Sequence, residues 1–317
     1  MGTKNYKLLK QDILPVLAPS LRQIIGQVAD RKLKKILEIR LRSNNPLLLE
    51  EPKGELMITS KGEVTKNSRQ AHTVSKQEVQ DTLNLMTNSS LYTLEEELRS
   101  GYLTLSGGHR VGLVGQVIRD RAKIKRIKHI AALNIRFCQE VIGAANGVIN
   151  QIINGSNDIY NTLIISPPRC GKTTLLRDLV RQISNGIPKQ FNGLKVGVVD
   201  ERSEIGGAYQ GVAQNQIGIR TDLLDRAPKP EGILLLIRSM SPNVIVTDEI
   251  GTKEDVDILL EALNAGVRVI TTVHGSNLAE VKSRPSLAKL FKDNIFKRII
   301  ILSRAKGPGT IEKIIKY

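Results

Sequence analysis

The chain has 317 residues, enough for two domains of ordinary size, each with its own core. Its 47 Lys and Arg against 31 Asp and Glu leave a formal net charge of +16, which suggests an anionic partner: nucleic acid, an acidic membrane face or an acidic protein tail. Aromatic residues are only 3% with no Trp, which argues against the stacking platform of a single-strand nucleic-acid binder, and no run of about 18 apolar residues is present to cross a bilayer.

Two cysteines, Cys138 and Cys170, lie too far apart for a metal spacing or a disulfide framework, so a reducing cytosol is expected. The opening MGTKNYKLLKQDILPVL lacks the continuous apolar core of a secretory leader. Residues 7 to 37 carry apolar positions at helical spacing, broken by Pro15 and Pro19, and predict short helices packed on one side. Strands follow at Leu37 to Leu41 and Pro46 to Glu50, with a hairpin around Lys61-Gly62. Helical spacing returns over 76 to 100, and a helix over Tyr92 to Arg99 would be capped by Gly101. GYLTLSGGHRVGLVGQVI alternates as a hairpin, DRAKIKRIKHI reads as a cationic loop or edge strand, and IAALNIRFC as a further strand. The texture then changes at AANGVINQIINGSND, which places a domain boundary near residue 145. This predicts a smaller mixed α/β N-terminal domain over 1–145 and an α/β core with a parallel sheet over 146–317. Strands of that sheet are expected at 162–166, 195–200, 244–248, 267–273 and 298–302, alternating with helices that cover both faces.

The chemistry gathers at the ends of those strands. SPPRCGKTT follows the apolar strand NTLIIS and opens the helix KTTLLRDLVRQIS, which is the context a phosphate-binding loop requires: backbone N–H groups of loop and helix start converge on phosphates. Ser166, Pro167, Pro168, Arg169, Cys170, Gly171, Lys172, Thr173 and Thr174 make up this candidate ATP site, with Lys172 for the β- and γ-phosphates and the Thr173 hydroxyl for Mg²⁺. The first glycine of the usual G-x-x-x-x-G-K-[ST] pattern is Ser166, an exchange that needs only ordinary extended backbone there. Cys170 reads as a small side chain at a variable loop position rather than as a redox switch. In SPNVIVTDEIG, Asp248 would hold the Mg²⁺ shell through water and Glu249 would polarise the attacking water. The intervening KVGVVDERSEIGG ends in Asp200, Glu201, Arg202 and Glu204, of which Glu201 and Glu204 are candidate metal or water ligands beside Glu249 as base. TTVHG brings Thr271 and His274 to the same edge as candidate γ-phosphate contacts. Arg110, Arg136 and Arg238 are the candidates for an arginine acting across a subunit boundary.

These motifs, in this order, resemble those of the ATPases of type II and type IV secretion and pilus retraction. More closely, EIRLR at 38–42, GGHRVGL at 107–113, NIR at 134–136, the loop with KTTLLRDL, VDERSEI at 199–205, IRSMSPNVIVTDEIG and TTVHG resemble the sporulation stage III AA family, over nearly the whole chain. The resemblance implies a RecA-like ATPase core and a cytoplasmic, Mg²⁺-dependent ATP hydrolase on the mother-cell side. It would form homo-hexameric rings that dock, without a membrane span of their own, on membrane-embedded sporulation channel proteins. One departure concerns Gly251-Thr252, which stands where other secretion ATPases tend to carry an arginine; Lys253 is a weaker substitute because it lacks the planar fork. A nucleic-acid-stimulated ATPase, suggested by the charge and KIKRIKHI, and an ATP-binding scaffold without turnover are the alternatives, with nucleic acid the less favoured partner.

Overall fold

The computed structural model describes residues 6–87, 101–120, 123–138, 140–291 and 294–317. The chain divides into two compact units, residues 1–139 and 140–317.

The first unit opens with short helical turns and the helix α1 (Pro19–Gln27), whose Leu21, Ile24 and Ile25 are buried. Then come β1 (Glu38–Arg42), the short β2 (Asn45–Pro46), β3 (Leu48–Glu51), β4 (Gly54–Ile58), β5 (Val64–Thr65) and β6 (Thr73–Val74). Helix α2 (Lys76–Met86) starts at a capping box in which Ser75 and Glu78 satisfy each other's backbone N–H. The expected helix over Tyr92 to Arg99 lies outside the described residues. Strands β7 (Tyr102–Thr104), β8 (Arg110–Asp120) and β9 (Lys123–Arg136) complete an antiparallel sheet in the order β5-β4-β3-β1-β9-β8-β7. The alternation in EIRLR explains the layering: Ile39 and Leu41 enter the core, while Glu38, Arg40 and Arg42 take the other face. DRAKIKRIKHI and IAALNIRFC are not separate elements. From Lys123 to Arg136 they form the single strand β9, because β8 runs beside it in antiparallel register almost throughout, with bulges between Val114 and Gln116 and between Ile118 and Arg119.

The second unit is a seven-stranded sheet in the order β12-β11-β13-β14-β10-β15-β16. β10 (Thr162–Ser166), β11 (Val196–Asp200), β12 (Thr221–Asp225), β13 (Val244–Thr247), β14 (Arg268–His274) and β15 (Arg298–Ser303) are parallel; β16 (Thr310–Lys316) returns antiparallel to β15. The long helices α3 (Lys172–Asn185), α4 (Lys229–Met240) and α5 (Lys253–Asn264) connect the strands. Separate apolar clusters fill the two sides of the sheet, one including Leu175, Leu176, Leu179 and Ile183 of α3, the other Ile233, Leu236, Val256 and Leu259 of α4 and α5. The five expected strands are present as β10, β11, β13, β14 and β15. The edge strands β12 and β16 were not expected: neither contains a fully buried residue, and an element that buries little carries a weak apolar pattern.

Candidate nucleotide site

Parallel strands end together, so the loops after β10, β11, β13, β14 and β15 meet at one edge. Ser166 closes β10 as a fully buried strand residue, and its φ is outside the left-handed region. The exchange of the first glycine is therefore tolerated. The tight turn lies further on, at Arg169 (φ 60°) and Gly171 (φ 83°). Gly171 is required twice over: its φ is positive, and a Cβ there would come within 2.9 Å of the Gly309 backbone nitrogen, in the β15–β16 loop. Gly309 N–H in turn donates to the Cys170 carbonyl at 2.8 Å, and Cys170 is buried at 2% exposure, which accords with its reading as a packed small side chain. Pro168 and Arg169 are exposed, whereas Thr174 and Pro167 are half-buried.

Gly171 is the N-cap of the 14-residue α3 and offers no side-chain cap, so the helix start keeps its N–H groups for an anion. Lys172, only 6% exposed, directs Nζ to Glu249 Oε1 at 3.2 Å and lies 3.8 Å from Asp248 Oδ1. The Thr173 hydroxyl donates to Asp248 Oδ2 at 2.9 Å. Glu249 sits at φ 49°, an uncommon conformation for a side chain of its kind, and it is pinned there: its N–H reaches both Asp248 Oδ1 and Thr272 Oγ1 at 2.9 Å. Its carboxylate meets Lys172, His274 Nε2 at 2.5 Å and Arg202 at 2.5 Å. Burial works to raise its pKa, but the charges of Lys172, Arg202 and His274 prevail and hold the carboxyl below its usual value.

The loop after β11 is held by Asp200, whose carboxylate accepts from the N–H groups of Glu204 (2.8 Å), Ile205 (2.9 Å) and Gly206 (2.8 Å). Burial pushes this carboxyl up to about 6, with the Asp225 charge adding to it against those donors. Arg177 of α3 clamps the same loop through the Glu204 and Ile205 carbonyls. Asp200 thus shapes the loop rather than facing a ligand. Glu201 and Glu204 line a small cleft with Arg202, Lys229, Asp248 and Glu249, and Glu201 is tied to Lys229. Among the described residues no three acidic, His or Cys side chains converge as a preformed cation site, so a metal here would rest on Thr173, Asp248 and water.

Of the residues expected from sequence, the structure brings together Lys172, Thr173, Asp248, Glu249 and His274. Thr271 is a correction. Successive strand residues face opposite sides, and it is Thr272 that shares the His274 side and donates to Asp248, while the Thr271 hydroxyl is buried without a partner. Arg238, a candidate for action across a subunit boundary, lies away from this chain's own site. It is exposed in the last turn of α4, which runs back against the strands and ends at the edge opposite the phosphate loop. Arg110 and Arg136 belong to the first unit, as register partners on β8 and β9; Arg110 lies over the Tyr102 ring at 4.4 Å and Arg136 donates to Glu38 at 2.9 Å. Arg202 and Thr272 are the site residues that sequence reasoning left unassigned. Alternation back from His274 signals Thr272; nothing local signals that Arg202 reaches Glu249.

The fold is an α/β fold that resembles that of the P-loop secretion ATPases. The structure superposes on the pilus retraction motor PilT with bound ADP (TM-score 0.58, 15% identity, covering 91% of this chain and 77% of that one). It likewise superposes on the Legionella pneumophila ATPase DotB (TM-score 0.52, 17% identity, 84% and 72%). At such identities the likeness is one of fold. The model of the family "Sporulation stage III, protein AA" matches residues 7–317, and the chain belongs to that family. It is 43% identical over 303 residues to stage III sporulation protein AA of Bacillus subtilis (strain 168), covering 96% of this chain and 94% of that protein. No helix among the described residues is long and apolar enough to cross a membrane.

Proposed function

We propose that the second unit binds ATP with Mg²⁺ and hydrolyses it, and that this energises a secretion-like channel across the envelope between mother cell and forespore. The observation that supports this best is the buried Lys172, shared between Asp248 and Glu249 at the start of an uncapped helix. A phosphate group, with more charge than one carboxylate and access to the helix N–H groups, is the ligand able to compete for that ammonium. Thr173 and, through water, Asp248 would hold Mg²⁺, which supplies positive charge to the β- and γ-phosphate oxygens. Glu249 is the base: its depressed pKa keeps it ionised at neutral pH, and Arg202 and His274 orient it. In this reading the chain works as a homo-hexamer on the cytoplasmic side of the mother-cell membrane, docked on membrane-embedded channel proteins. Arg110 and Arg136 of one subunit then act on the nucleotide of its neighbour.

The test is binding and phosphate release measured on the same samples. Lys172→Ala is expected to lose nucleotide binding, whereas Glu249→Gln keeps it and releases phosphate at least about a hundredfold more slowly. Loss of binding in Glu249→Gln makes that residue structural. Arg110→Ala and Arg136→Ala variants that assemble and hydrolyse like the parent refute the inter-subunit role, and hydrolysis that depends on added polynucleotide refutes the channel reading.

A further inference from the structure

The chain carries a net charge of +16, and one part of the fold concentrates exposed cations that form no ion pair among the described residues. β1 accompanies β9 only along Ala132–Arg136, and β7 accompanies β8 only along Arg110–Gly112. Beyond those limits β8 and β9 pair, among the described residues, only with each other, as a two-stranded ribbon. Its departure from the sheet is built in. A bulge falls between Val114 and Gln116, opposite His129 at φ 49°, and a Cβ at Gly115 would come within 2.7 Å of the His129 carbonyl. Paired residues project to the same side, so Lys128 (opposite Gln116) and Arg126 (opposite Ile118) share one face, and Val117 and Ile127 the other. Arg119, Lys125, Arg126 and Lys128 are exposed, and none forms an ion pair among the described residues. On the same ribbon Val114 is 64% exposed and Val117, on the other face from Lys128 and Arg126, is 43% exposed.

We propose that this ribbon docks on an anionic lipid bilayer surface. A lysine or two on an exposed strand suffices to prevent edge-to-edge pairing, and four exposed cations without an ion pair among the described residues exceed that need. The ribbon carries no Phe, Tyr or Trp on which bases stack, and it interleaves aliphatic side chains with its cations, as a headgroup and acyl boundary accommodates and a phosphate-lined groove does not. A twisted ribbon interrupted by bulges offers poor register to an acidic strand, whereas the diffuse field of a charged bilayer requires none.

The test is co-sedimentation of the full chain with vesicles of phosphatidylcholine, with and without a minority of phosphatidylglycerol. Binding is expected only to the anionic vesicles and is lost at high salt. Each Lys or Arg near such a surface is worth about fivefold in affinity, so a Lys125→Gln, Arg126→Gln, Lys128→Gln triple variant should bind about a hundredfold more weakly. A Lys195→Gln, Lys313→Gln, Lys316→Gln triple variant removes the same charge from exposed positions elsewhere and should bind like the parent. Equal loss in both triples, or equal binding to neutral vesicles, overturns the proposal. So does tighter binding of duplex DNA or polyglutamate that the ribbon triple alone abolishes, which would assign the ribbon to that partner instead.

Discussion

Replacing Thr272 by Val preserves shape and removes one hydroxyl that donates to Asp248 Oδ1 and accepts the Glu249 N–H. The Glu249 N–H keeps its second acceptor, Asp248 Oδ1 at 2.9 Å, so the loss falls chiefly on the Asp248 carboxylate. A hydrogen bond to a charged group contributes about 1.5–3 kcal/mol. Because Asp248 in turn holds the Thr173 hydroxyl and the strained Glu249 backbone, that loss should fall on the catalytic geometry and lower kcat by about tenfold to a hundredfold, with KM little changed. The adjacent Thr271→Val removes a hydroxyl that is fully buried and unpartnered. It should leave kcat unchanged and raise stability by about 1 kcal/mol, or some 2–4 °C in Tm for a unit of this size. Steady-state phosphate release and thermal melts on the two variants decide the matter. Comparable damage from both, or a fully active Thr272→Val, refutes the assignment of faces on β14.

Gly171→Ala should cost at least about 2 kcal/mol and weaken nucleotide binding, because a left-handed φ and a backbone contact with Gly309 are violated together; melts and nucleotide titration check this. In the first unit, buried His109 accepts the Cys138 N–H on Nδ1 at 3.1 Å, which leaves Nε2–H to face Asp12 at 3.3 Å. Burial holds this imidazole below its ordinary value of 6.5 despite Asp12. The unfolded ring therefore binds a proton before the folded one. Its contribution to stability is whole above about pH 6.5 and is lost as the pH falls through the depressed folded value. His109→Gln should be less stable at neutral pH and show a shallower acid slope in melts across this range; an undiminished slope contradicts the reading.

The turn that opens the helix at Lys172 and the five central strands were legible because their signals are local. A strand covered on both faces reads as an unbroken apolar run, as in TLIIS and VIVT. That Asp248, Glu249 and His274 lie together was legible because a parallel sheet sends strand ends to one edge. Thr271 was expected beside His274, whereas period-two alternation back from His274 leads to Thr272. The edge strands β12 and β16 were not legible, since they bury too little to pattern, and neither was the union of KIKRIKHI with IAALNIRFC in one strand, since pairing with β8 decides it.

The amino-acid order alone determined which residues are able to carry phosphate chemistry, because turn conformation, helix start and strand burial depend on neighbours a few positions apart. Only the tertiary structure decided how those residues are used. Arg202 and His274 reach Glu249 across separations of 47 and 25 residues, and Asp200 turns from a candidate carboxylate into the anchor of a loop. Such outcomes depend on which strands lie side by side and which side chains their packing removes from water.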